Sequence, residues 1–195
     1  MVKTDNICGA ILVGGKGRRL GTDKIFVEIK GKPLFKIMYE KLSKIFSNVY
    51  FIGREIKNHP FYLDEMDKKA AIIGIYTALK KADTDYCFIT AVDLPLLKLE
   101  LIELLIRNIN PEYDIIVPFI KGFFEPMVAI YSKKILDIVE KNIKGNNLKI
   151  NSLFNESKVL KIEENAVQKI DPFFDSFINI NRAEDLKNLL EKVEK

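Results

Sequence analysis

Residues 7–24 read ICGAILVGGKGRRLGTDK, an apolar run of strand length that empties into a loop of glycines and cations. Five glycines and four cations stand within positions 9–24. A glycine-rich turn after a buried strand presents successive backbone N–H groups to an anion, because no Cβ blocks the approach, and phosphate is the natural guest. Two familiar versions of such a loop do not fit. A Walker A loop needs Gly-Lys-Ser/Thr, yet Lys16 is followed by Gly17 and the required first glycine falls on Ala10. The dinucleotide fingerprint, counted from Gly15 and Gly17, puts its third glycine on Leu20, and Gly21 comes one residue late. Lys16, Arg18 and Arg19 add mobile cations that suit a triphosphate or pyrophosphate better than one bridging diphosphate.

Outward from this loop the chain alternates strand-length apolar runs with segments of helical period. ICGAILV is a strand, and PLFKIMYEKLSKIF places Leu34, Ile37, Met38, Leu42 and Ile45 on one helical stripe. NVYFIG, DYCFITAV and YDIIVPFI read as further strands, with helices at IIGIYTALKKA and KLELIELLIRNI between them. FEPMVAIY, a helix around KKILDIVEKNI, a short helical LKINSLF, an edge strand KVLKI, a strand-like SFININ and a closing helix RAEDLKNLLEKVEK complete the order. Nearly continuous apolar strands separated by helices predict an α/β fold with a largely parallel sheet covered on both faces. At 195 residues the chain has room for one full core, and residues 1–195 are read as a single domain.

Composition narrows the function classes. The net charge of +4 comes from interspersed lysines and acids. The dense cationic cluster sits inside the glycine loop and not over a face with interleaved aromatics, which argues against nucleic acid. The first apolar run is too short and glycine-broken for a signal peptide, and no stretch approaches the roughly 18 apolar residues of a membrane span. The expectation is a soluble cytoplasmic protein, a monomer or weak oligomer. Cys8 and Cys87, each in an apolar run, are expected as buried reduced thiols.

In an open parallel sheet the ligand sits beyond the carboxyl ends of the strands, so residues just after strands are the candidates. Asp93 ends ITAVDLPLL; an acid closing a hydrophobic strand needs a cation, and a Mg²⁺ shared with phosphate oxygens supplies one. The competing role is an N-cap for a helix beginning near Leu96. Asn179 and Asn181 alternate with Phe177, Ile178 and Ile180, which sets both amides on one face, either to complete a metal shell or to hold a phosphate-bound water, or with Asn181 as cap of the last helix and Asn179 in a turn. His59, in KNHPF, reads as a surface turn.

The motif LVGGKGRRLGTDK resembles the nucleotidyltransferase signature Leu-x-Gly-Gly-x-x-x-Arg-Met-Gly-x-Asp-Lys, with Leu20 for the methionine, and GKPL follows it as that family's Gly-x-Pro-Leu does. The nearest resemblance is to the molybdenum cofactor guanylyltransferases, and it extends at intervals through Asp93-x-Pro95 to the ININRAEDL ending, where Arg182-Ala183 replace Thr-Pro. The resemblance implies a Rossmann-like three-layer α/β/α fold of the nucleotide-diphospho-sugar transferase type. It implies transfer of GMP from GTP to the terminal phosphate of molybdopterin or Mo-molybdopterin, with Mg²⁺ as cofactor. Cofactor-insertion proteins or molybdoenzymes are the implied partners.

Residue by residue, the resemblance implies a nucleotide site of Leu12, Val13, Gly14, Gly15, Lys16, Gly17, Arg19, Lys24, Asp64 and Asp93. Arg19, Lys24 and Asp93 would carry catalysis, and Asp93, with Asn179 or Asn181, the metal. Asp67 is the alternative to Asp64. Phe123, Phe124 and Glu125 resemble a family strand on the acceptor side. The sequence departs from the family where a base is read: Gly53 or Arg54 stands for an asparagine, and Ala70-Ala71-Ile72 for Gly-Pro-Leu. Cytidylyl-transferring relatives and other small nucleotidyltransferases share the loop and are the near alternative. A nucleotide-binding protein without turnover is the second, and it would be free to lose the acid and cations that are all present here.

Overall fold

The computed structural model describes residues 5–14 and 23–181, with residues 184, 185 and 187 after them. The first strand, β1 (Ile7–Leu12), is buried along its whole length. Ile7, Ile11 and Val13 point into one apolar layer while Cys8, Ala10 and Leu12 point into the other. That two-sided burial is why the run is continuously apolar instead of alternating.

The chain continues through a hairpin of β2 (Glu28–Ile29) and β3 (Lys32–Pro33) into α1 (Leu34–Leu42). Next come β4 (Val49–Ile52), β5 (Phe61–Tyr62), α2 (Ala71–Lys81), β6 (Tyr86–Ala91) and α3 (Leu99–Arg107). The second half holds β7 (Ile115–Ile120), β8 (Phe123–Phe124), β9 (Val128–Ser132), α4 (Leu136–Lys144), α5 (Asn151–Glu156), β10 (Val159–Glu163) and α6 (Glu164–Gln168). Among the described residues the main sheet runs β10-β7-β9-β6-β1-β4-β5, with β8 paired to β7. Strand β1 pairs in parallel with β4 on one side and β6 on the other. Residues of α1 and α3 cover one face and residues of α2, α4 and α5 the other, giving three layers.

Glycines let both layers come close to β1. A Cβ on Gly9 would fall 2.8 Å from the Phe46 ring and 3.1 Å from a Leu42 methyl, and one on Gly74 in α2 would fall 3.0 Å from Leu12. Among the described residues two strands depart from the parallel order: β8 is antiparallel to β7, and β9 runs antiparallel to both β6 and β7. Its direction follows from the turn before it. Lys121 (φ 51°) and Gly122 (φ 83°) form a two-residue connection between β7 and β8, sending the chain back along the sheet without a crossover helix. Lys30 (φ 51°) and Gly31 (φ 74°) join β2 to β3 in the same way.

The SFININ expectation is corrected. Residues 175–177 form a 3₁₀ turn, Ile178 after it is extended, and 178–181 belong to no strand of the described sheet. Most of the expected closing helix lies outside the described residues. Cys8 and Cys87 are buried free thiols facing each other in register across β1 and β6. His59 packs edge-on against Phe35, Tyr39 and Phe51, with its Nδ1 2.9 Å from the Lys57 carbonyl oxygen. Among the described residues no helix is long and apolar enough to cross a membrane.

Candidate active site

Three parallel strands, β4, β1 and β6, end side by side, and the ladder continues one residue past β1. Val13 N–H donates to the Ile52 carbonyl at 3.0 Å and Val92 N–H to the Leu12 carbonyl at 3.2 Å. The chain leaves β1 for β4 on one side and later returns as β6 on the other, so this carboxyl edge is a topological switch point, where open α/β sheets bind ligands. Leu12 and Val13 give their side chains to the two core layers, and what they supply is the placement of Gly14. Gly15, Lys16, Gly17 and Arg19 lie outside the described residues.

Lys24 opens a 3₁₀ turn over residues 24–26 and reaches back across the edge. Its Nζ donates to Asp93 Oδ2 and, at 2.7 Å, to Asn181 Oδ1, joining positions 69 and 157 residues away in sequence. The Lys24 and Asp93 side chains are 16% and 15% exposed. The other Asp93 oxygen, Oδ1, is buried and has no hydrogen-bond partner. An N-cap role for Asp93 is ruled out, since α3 starts at Leu99 with Lys98 in the capping position. Asn179 and Asn181 are both exposed around buried Ile180, so the expected alternation holds without strand pairing, but only Asn181 meets Lys24.

The loop carrying Asp93 is held from two sides. Ile180 N–H donates to the Asp93 carbonyl at 3.0 Å. From α1, Lys41 Nζ donates to the carbonyls of Pro95 and Leu97 at 2.7 and 2.6 Å. Desolvation, helped by repulsion from Lys44, pushes the Lys41 pKa down to about 8. Neither contact is visible in the sequence, where Lys41 is one lysine among many on an amphipathic helix.

On the β4 side, Gly53 has φ 106°, and a Cβ there would stand 3.5 and 3.6 Å from the Asp64 carboxylate oxygens and 3.6 Å from the Gly14 nitrogen. Asp64 is therefore beside the start of the glycine loop, and burial raises its pKa. Asp67 is exposed. Arg54 pairs with Asp23, the neighbour of Lys24, and its guanidinium lies 6.0 Å from the Phe26 ring centre. On the acceptor side expected from sequence, Phe124 packs on Phe119 and Phe154 at centroid distances of 5.0 and 4.3 Å. Phe123 is 71% exposed. Desolvation raises the Glu125 pKa.

The carboxyl edge at the switch point thus brings together Gly14, the strand-end acid Asp93 and Lys24. A MobA-like NTP transferase domain matches residues 9–159, which spans the glycine loop, Lys24, Asp64 and Asp93. The chain belongs to the MobA-like NTP transferase family. As a member it is a nucleotidyltransferase. It is 36% identical over 194 residues to a probable molybdenum cofactor guanylyltransferase of Natranaerobius thermophilus, covering 94% of this chain and 95% of that one. A protein of the same designation from Aquifex aeolicus is 33% identical over 185 residues, covering 92% and 88%. The crystal structure of molybdopterin-guanine dinucleotide biosynthesis protein A from Archaeoglobus fulgidus superposes with a TM-score of 0.85 at 29% identity, covering 96% of this chain and 98% of that one.

Among the described residues of this family member, no three His, Cys, Asp or Glu side chains cluster as a metal cage. Asp93 with an amide oxygen is instead the sparse donor set that suits Mg²⁺, which keeps most of its shell as water and substrate phosphate. The partnerless Asp93 Oδ1 is a buried acceptor that such an ion would satisfy.

Proposed function

We propose that this chain is a molybdenum cofactor guanylyltransferase: it takes GTP and molybdopterin, with or without bound molybdenum, and joins GMP to the terminal phosphate of the pterin. A terminal phosphate oxygen of the acceptor attacks the α-phosphorus in line, the bond from that phosphorus to the α,β-bridging oxygen breaks, and pyrophosphate leaves with its electron pair. A new phosphoanhydride forms. Such transfers need positioning and charge neutralisation more than covalent help, so no nucleophilic side chain is required. The observation that carries the reading is the convergence of Lys24, Asp93 and Asn181 at the carboxyl edge of the sheet, where Gly14 follows β1.

Within this reading, backbone N–H groups of the loop from Gly14 to Gly17, with Arg19, hold the departing pyrophosphate. Lys24 neutralises the α-phosphate as charge develops there. Asp93 and Asn181 would hold Mg²⁺, which supplies charge neutralisation on the triphosphate oxygens. Asp64 stands at the nucleotide side of the loop. The guanine assignment rests on the names that the relatives carry, since Gly53, Arg54 and Ala70 to Ile72 depart from the family pattern.

The test is thermal stabilisation by GTP, CTP, ATP and UTP with Mg²⁺, on wild type and on Asp93→Asn. A ligand at 100 times its Kd adds about 2.7 kcal/mol and visibly raises Tm. GTP is expected to stabilise most, and Asp93→Asn to lose the Mg²⁺-dependent part. A larger shift with CTP would keep the transfer chemistry and overturn the base. No shift with any triphosphate would overturn the site.

A further inference from the structure

Beyond the residues that meet phosphate, one buried charge organises the segment that delivers Asn181. Asp171 has no solvent-exposed surface, and neither does Ser176. The Ser176 N–H donates to Asp171 Oδ2 at 2.8 Å, the Ser176 Oγ accepts from Lys98 N–H at 3.0 Å, and Lys98 Nζ closes the ring 3.0 Å from Asp171 Oδ1. Lys98 Nζ also donates to the Ile170 carbonyl at 3.2 Å. Inside this turn Phe174 adopts φ 56°, a left-handed conformation that is costly for a non-glycine residue and persists only where its surroundings over-determine it.

The ring ties together two stretches remote in sequence. Lys98 caps α3 five positions after Asp93, and Ser176 precedes Asn181 by five. Further along, Ile180 N–H donates to the Asp93 carbonyl at 3.0 Å, and Asn181 Oδ1 accepts from Lys24 at 2.7 Å. We propose that Asp171 is a positioning residue for the transfer reaction: through Lys98 and Ser176 it sets the Asn181 segment against the Asp93 loop, so that the phosphate-handling groups meet Lys24 in register. Apolar replacement of a buried ion pair is often neutral for stability, so the value of this ring is sought in the geometry it imposes. The kinetic part of this inference rests on the proposed guanylyl transfer; the structural part does not.

The test uses Asp171→Asn and the double variant Lys98→Met/Asp171→Leu, the second because it removes the buried carboxylate together with its partly exposed lysine partner and leaves no unpaired charge behind. Two properties are read well below each Tm: amide hydrogen exchange at Ile180, and kcat and KM for GTP in pyrophosphate release with molybdopterin. The expectation for the double variant is a folded protein of lower Tm, since the buried Ser176 N–H loses its acceptor, with Ile180 exchange faster by about tenfold or more, β6 and β7 amides unchanged, and kcat lower by about ten- to a hundredfold with KM nearly constant. A folded double variant that keeps both wild-type Ile180 protection and wild-type kcat overturns the proposal, whatever its Tm. If wild type itself fails to turn over, the guanylyl reading falls, and Ile180 exchange still decides the positioning.

Discussion

Lys24 and Asp93 show how much a single contact can carry at the residue scale. Their ion pair brings a group from the glycine loop onto the end of β6 and leaves one carboxylate oxygen free of hydrogen bonds. Because such groups act where charge develops, Lys24→Met and Asp93→Asn are each expected to lower kcat by about 10²- to 10³-fold, measured as pyrophosphate release. A loss under threefold in either variant would remove that residue from the chemistry. Asp171 carries a prediction about pH. Burial alone would raise its pKa, but hydrogen bonds from Ser176 and the Lys98 ammonium outweigh it and hold the carboxyl below the usual carboxylate range. A folded value below the unfolded one of about 3.9 means the ionised form stabilises the fold above about pH 4, and this contribution fades as pH falls through the folded value. In urea titrations the stability gap between wild type and Asp171→Asn should therefore be flat from about pH 5 to 7 and narrow below about pH 4. A gap independent of pH would refute the assignment. Asp93 stood out in the sequence because an acid at the end of an apolar strand is chemically conspicuous, and Lys24 because the resemblance to the family places a lysine there. Asp171 stayed invisible, since an aspartate before proline reads as an ordinary turn until its burial is known.

Elements in this chain are placed by the space their neighbours leave. Helix α1 lies so near β1 that a methyl group on Gly9 would enter the Phe46 ring, itself fully buried and stacked on Phe88 at 5.6 Å. Gly9→Ala should cost about 1–3 kcal/mol through overpacking, read from the shift in urea midpoint at constant m-value. A cost near zero would mean that α1 moves aside freely. Helices and buried strands were legible because their apolar spacing is dictated by burial on a single stripe or on two faces. The direction of β9 was not, because an antiparallel return and a parallel crossover demand the same apolar pattern. Nor were the two Lys-Gly hairpins, whose left-handed lysines lack the Asn-Gly or Asp-Gly signal. SFININ alternates as a strand does, yet its partner is the Asp93 carbonyl instead of a sheet edge.

Across the whole molecule, the candidate site with Lys24 and Asp93 stands at the carboxyl edge of the sheet. The acidic cleft of about 620 Å³ bounded by Asp5, Asp83, Asp85 and Tyr86 is at the amino edge, away from Lys24 and Asp93. With GTP and Mg²⁺ bound, hydrogen exchange should slow at residues 13–14, 53–54, 91–97 and 178–181 and stay unchanged at 5–7 and 83–85. Slowing confined to the amino edge would move the site to the wrong end of the sheet. The α/β class was legible in the sequence because burial period is a local property, and Lys24 and Asp93 came from it as candidates, Asp93 by its place at a strand end and Lys24 by the family resemblance. Only the tertiary structure decided that Asn181, and not Asn179, meets Lys24, that Lys41 and Asp171 brace the loops around the site, and that β9 runs against its neighbours. Those outcomes depend on which distant segments are pressed together, and contacts spanning 69 and 157 residues leave no periodic trace along the chain.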